Sequence, residues 1–75
     1  MPHAMPKDLQ VIEVGEGWIV RREGELMIVS MHDTQQEAIE AARKLAEIEG
    51  VHVLVQGRDG RYRPAPGPTA RPAGR

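Results

Sequence analysis

Apolar residues recur at every second position, then at every third or fourth, then at every second again. Leu9-Gln10-Val11-Ile12-Glu13-Val14 is rich in strand formers, and Gly15-Glu16-Gly17 interrupts it as a short hairpin loop does. Trp18 to Arg22 reads as a second strand and Glu23-Gly24-Glu25 as a second turn. Leu26 to Met31 is apolar at nearly every position, which predicts a third strand buried on both faces. Val51, Val53 and Val55 then alternate with His52, Leu54 and Gln56, which predicts a fourth strand with its valines on one face. Asp59-Gly60 signals a type I′ turn, and Arg61-Tyr62-Arg63 a short returning strand.

Between the third and fourth strands the period changes. Thr34 followed three residues later by Glu37 forms a capping box, with Asp33 adding negative charge at the positive end of a helix. Ala38, Ile39, Ala42, Leu45 and Ala46 share one face, widened by Ala41 and Ile48. Glu40, Arg43, Lys44 and Glu47 take the other side, and Glu40 is correctly placed to pair with Lys44. Gly50 is a natural left-handed terminator. The alanines let the helix axis lie close to a sheet.

The order is β-β-β-α-β with a short final β. Hairpins and a single helix predict an α+β fold: a small antiparallel or mixed sheet with one helix packed on one face. The foldable part is residues 9–63. Residues 1–8 read as a flexible lead-in, and residues 64–75, with four Pro and two Gly, as a disordered tail. One helix leaves the second sheet face open. If Trp18 and Val20 point at the helix, Ile19 points away, and so does one of two sets on the third strand: Leu26 with Ile28, or Met27 with Val29 and Met31. Ile19, Met27, Val29 and Met31 are therefore the candidate interface, and a homo-oligomer or protein partner is the expected occupant.

Composition narrows the chemistry. The chain is 40% apolar and 28% charged, with ten basic and eleven acidic residues, which excludes a strongly basic nucleic-acid binder. The charge is uneven. Residues 1–55 are acidic, whereas residues 56–75 hold five arginines against Asp59 alone. Arg58, Arg61, Tyr62 and Arg63 are the candidate nucleic-acid contacts, extended by Arg21 and Arg22 if the strands adjoin. Cysteine is absent, so disulfides and thiolate chemistry are excluded. His3, His32 and His52 lack metal-ligand spacing, and a site would need His32 and His52 to converge with Asp33. Ser30 and His32 share a strand face without any nucleophile-elbow pattern. Gly15 and Gly17 open no helix, so they do not form a phosphate loop. No cofactor, metal or catalytic residue is expected, and the chain reads as a non-enzymatic binding module. No apolar run is long enough to cross a bilayer and no leader pattern opens the chain, so a cytoplasmic location is expected.

Gly17-Trp18-Ile19-Val20, Glu23-Gly24, the stretch His32-Asp33-Thr34-Gln35-Gln36-Glu37-Ala38-Ile39-Glu40-Ala41-Ala42-Arg43, and Val55-Gln56-Gly57-Arg58-Asp59-Gly60-Arg61 resemble a bacterial family, the domain of unknown function 2188. The resemblance covers about residues 11–63. Its members usually carry His before the Gly-Arg-Asp-Gly turn, where this chain has Gln56. The resemblance implies no established activity. The Gly-x-Trp start, three-stranded meander and capped helix also look like the arm-type DNA-binding domains of tyrosine integrases. Here, however, the second and third strands carry Ile, Val and Met where such a domain carries basic and polar groups.

Overall fold

The computed structural model describes residues 7–65. The rest of the sequence-predicted lead-in and tail, with His3, Arg71 and Arg75, lies outside the described residues. The elements are β1 (Leu9–Val14), β2 (Gly17–Arg22), β3 (Ile28–His32), α1 (Gln35–Glu49), β4 (Val53–Gln56) and β5 (Tyr62–Pro64). They form a mixed five-stranded sheet in the order β3-β2-β1-β4-β5, with α1 on one face. The meander β1-β2-β3 is antiparallel, α1 carries the chain back across the sheet, and β4 enters parallel to β1. β5 closes the far side as an antiparallel hairpin with β4.

The core is a single layer between α1 and the sheet. Leu9 and Val11 of β1, Val20 of β2 and Val55 of β4 meet Ala38, Ile39, Ala42 and Ala46 of α1, and all are buried. Trp18, Leu45, Val51 and Val53 pack around this cluster. The small side chains of α1 permit its close approach to the sheet. Removing a fully buried side chain here leaves a cavity that one thin layer cannot fill.

Local signals act at both helix ends. Thr34 is extended (φ −128°, ψ 157°), and its hydroxyl accepts the Glu37 N–H at 3.1 Å. The return contact from the Glu37 carboxylate is not formed among the described residues, so only half of the expected box exists. Gly50 ends the helix in the left-handed region (φ 72°), and the N–H groups of Gly50 and Val51 both donate to the Ala46 carbonyl. The expected Glu40–Lys44 pair is not formed; Glu40 instead accepts from Gln36 at 3.4 Å. Ile48 lies outside the buried stripe at 82% exposure.

Two further expectations are corrected. Leu26 to Met31 is not a doubly buried strand. β3 begins only at Ile28 and forms the edge of the sheet, so nothing covers its outer side among the described residues. The β4–β5 connection is not a type I′ turn. Gly60 has φ 82°, but no non-glycine residue among those described has positive φ, so Asp59 cannot fill the second left-handed position. Gly60 N–H donates to Gly57 C=O and Gly57 N–H to Arg61 C=O, the pattern of a three-residue loop with a left-handed glycine. The strand also runs beyond Arg63 to Pro64, and Ala65 N–H donates to Val53 C=O.

Leu9→Ala removes a side chain with no exposed surface and is expected to cost about 2–5 kcal/mol in urea denaturation. Ile48→Ala, on an exposed position, is expected to change stability by no more than about 0.5 kcal/mol in the same measurement.

Candidate interaction surfaces

Strand alternation divides the sheet residues between its faces. Because Leu9, Val11, Val20 and Val55 face α1, their neighbours Gln10, Ile12, Ile19, Arg21 and Leu54 lie on the open face. Two rows cross that face. One is mixed: Arg21 lies opposite Gln10, Gln10 beside Leu54, and Leu54 opposite Pro64. Arg21 Nε donates to Gln10 Oε1 at 3.0 Å, which satisfies the carbonyl of an amide buried without a helix above it. The other row is apolar. Ile12 lies opposite Ile19, and Ile19 opposite Met31.

The apolar row ends at the β3 edge, where exposure is highest. Leu26 is 94% exposed, Met27 77%, Ile28 46%, Val29 38% and Met31 74%. The sequence allowed one of two apolar sets to point outward, whereas both are exposed. The reason is twofold: Leu26 and Met27 precede the strand, and the ladder slips between Val20 and Arg21, so that Val20 faces Ser30 and Arg21 faces Ile28. Val29 is the extra residue of this bulge. Of the sequence-predicted interface, Ile19 and Met31 are brought together in one row, Val29 stands beside them at the bulge, and Met27 lies ahead of the strand. Sequence reasoning missed Ile12 and the exposed Val14. The alternation of Leu9 and Val11 is the signal that could have found both.

The basic surface lies at the opposite edge. The Arg63 guanidinium holds Asp59 at 2.8 Å and passes over Gly57, where a Cβ would stand 2.6 Å from its Nη1. Asp59 also accepts the Arg61 N–H at 3.0 Å. The Arg63 hydrogen bond, followed by that of Arg61, holds the Asp59 carboxyl below its ordinary range, and Arg63 is raised in return. Arg63 is thus occupied within the loop. Arg58 and Arg61 are exposed and have no side-chain partner among the described residues, while Tyr62 is half-buried opposite Gln56. Arg21 and Arg22 do not extend this surface. β2 is three strands from β5, Arg21 binds Gln10, and Arg22 pairs with Glu49 at 2.6 Å. The Glu49 hydrogen bond raises the Arg22 pKa.

Ser30 Oγ and His32 Nε2 are 2.8 Å apart, so the strand does bring these two together. Among the described residues no further group orients the imidazole, which leaves a hydrogen-bonded pair beside β2. No group of three His, Asp or Glu stands close enough to hold a metal ion among the described residues. His52 lies at the far end of the helix from His32, where its backbone N–H donates to Asp8 Oδ1 at 3.1 Å. A cleft of about 560 Å³ between α1 and the β4–β5 edge is lined by Arg43, Ala46, Glu47, Val53 and Ala65. Among the described residues, no helix is long and apolar enough to cross a membrane.

Residues 10–65 match the family model described as an uncharacterized protein conserved in bacteria, DUF2188. The chain is similar to the uncharacterized protein YdaT of Bacillus subtilis (strain 168), with 39% identity over 59 residues. The match covers 79% of this chain and 39% of that relative, so the chain spans well under half of the curated relative's length. No solved structure matches.

A folded-state pKa held below the unfolded one contributes stability above the unfolded pKa, and that contribution is lost as pH falls through the folded value. The Asp59 carboxyl carbon is therefore expected to titrate in NMR below the ordinary aspartate range. In Arg63→Ala it is expected to return toward the ordinary aspartate range. An unchanged titration in that variant would show that Arg61 alone sets the shift.

Proposed function

We propose that this chain, which belongs to the bacterial DUF2188 family, is a small cytoplasmic, non-enzymatic interaction module that associates with itself through the open sheet face. The observation that supports it is the apolar row Ile12–Ile19–Met31 running into the exposed segment Leu26–Met31. Five of the seven large apolar side chains exposed among the described residues belong to that one segment. Scattered exposed apolar residues are ordinary, but a contiguous patch on a small domain marks a contact surface. A second copy is the occupant that needs no other component.

Sedimentation of the full chain is expected to show a concentration-dependent rise from monomer to dimer mass. Met31→Glu places a charge in the apolar row and is expected to weaken association at least tenfold while leaving the circular dichroism spectrum unchanged. A wild-type chain that stays monomeric to about 1 mM removes the proposal, because even very weak self-association, with Kd near 1 mM, would show there.

One observation favours a second reading, a nucleic-acid accessory role: Arg58 and Arg61 project from the β4–β5 loop without a side-chain partner among the described residues. Two phosphate contacts predict a slope of log affinity against log salt of about −2. Fluorescence anisotropy with labelled single- and double-stranded DNA and RNA at two salt concentrations measures it. Arg58→Ala with Arg61→Ala is expected to flatten the slope. No binding at low salt closes this reading.

A further inference from the structure

We infer that self-association takes the form of antiparallel pairing between β3 and the same strand of a second copy, centred on Met31, so that two five-stranded sheets join into one. The inference rests on the self-association reading and specifies its geometry.

The two edges of the sheet are built differently. β5 is three residues long, carries Arg63 and ends in Pro64, which has no N–H to offer. Short length, charge and proline are the devices by which an edge strand avoids further pairing. β3 has five residues, Ile28-Val29-Ser30-Met31-His32, with no acidic residue, no Lys or Arg and no Pro. One side of it pairs with β2, and its other side faces no strand among the described residues. Such an edge is a template for another strand. A second copy of β3 suits it because the strand carries no formal charge. Antiparallel self-pairing therefore sets no like charges opposite each other. A copy of β5 would bring Arg63 and Pro64 instead.

The register is set by the bulge and the row. The slip at Val29 bends β3 and leaves Ser30–His32 as its regular stretch. A twofold axis through Met31 uses that stretch: Met31 meets its own counterpart in the second copy, and Ser30 meets the second copy's His32. Ile12, Ile19 and Met31 are consecutive register partners on the open face. The same axis therefore joins two rows of three into one row of six apolar side chains. An axis through Ser30 would draw the bulge residue into the ladder and break the row. The exposed apolar side chains of Leu26–Met31 present roughly 600 Å² per copy. A standard stable interface takes roughly 800 Å² per partner, so the pairing is a concentration-dependent dimer rather than an obligate one.

The chain has no cysteine, so single cysteines report proximity without background. In the proposed pairing the two Met31 Cα atoms lie about 4.5–5.5 Å apart, within disulfide reach. The two Ile12 positions are separated by five strand spacings, roughly 24 Å. Under mild oxidation at a concentration where wild type sediments as dimer, Met31→Cys is expected to cross-link at least tenfold faster than Ile12→Cys. If Ile12→Cys cross-links as fast, the faces stack and the edge pairing is wrong. If neither cross-links while the wild type remains dimeric, edge pairing fails and self-association stands. A monomeric wild type overturns both. Hydrogen exchange on the wild type needs no substitution. The β3 amides that point away from β2 are expected to gain protection as concentration rises, and unchanged exchange in a sample that has dimerised overturns the inference.

Discussion

A single fifteen-residue helix covers one face of a five-stranded sheet, and the rest of the molecule is shaped by that limit. The covered face holds every fully buried large side chain, Leu9, Val11 and Val20. The other face has no layer above it among the described residues, yet its strands still carry Ile12, Ile19, Leu54 and Met31. Strand alternation makes this unavoidable in a chain whose first two strands are apolar at both parities. A polar solution is visible across one row, where Arg21 lies over Gln10. The adjacent row has none.

The same limit explains why the two edges are unequal. The helix crosses from β3 at one edge to β4 near the other, so the segment after β4 has to close the sheet. That segment is a tight loop rich in Gly and Arg, locked by the Asp59–Arg63 pair, and a strand that stops at proline. The β5 edge is therefore finished within its own hairpin. Among the described residues β3 receives no later strand, because the return of the chain places β4 beside β1 instead. An edge left neutral and free of proline is costly for a soluble monomer, since it invites pairing. Its presence alongside a defended edge in the same sheet supports the proposal that β3 is a contact surface.

Much of this is legible in the residues. The two hairpins, the capped helix, the alanine face and the valine face of β4 emerge from periodicity and turn chemistry, because those signals are local. The expectations that failed depended on tertiary placement. Leu26–Met31 reads as doubly buried because its composition matches a central strand, and only the sheet order reveals an edge. The Glu40–Lys44 pair and the full capping box failed for another reason: an exposed helical pair with no second bond to fix it is worth a few tenths of a kcal/mol, too little to select one rotamer, whereas Asp59 is also fixed by the Arg61 N–H. Asp59-Gly60 misled on turn type because loop length, set by where Gln56 and Tyr62 pair, decides which residues need positive φ.

The candidate surfaces divide along the same line. Ile19 and Met31 can be named from alternation, but that they adjoin, and adjoin Ile12, is a matter of register between strands up to nineteen positions apart. The arginines can be counted, but which are engaged cannot be read from the count. Arg63 is held by Asp59 and Arg22 by Glu49, so two of the cations that composition offers to a polyanion are already satisfied within the fold. A charge that must first leave a carboxylate contributes less to phosphate binding than one held only by water. That difference leaves Arg58 and Arg61 as the cations of the proposed nucleic-acid contact, and it supports the proposal that places the principal contact on the apolar edge.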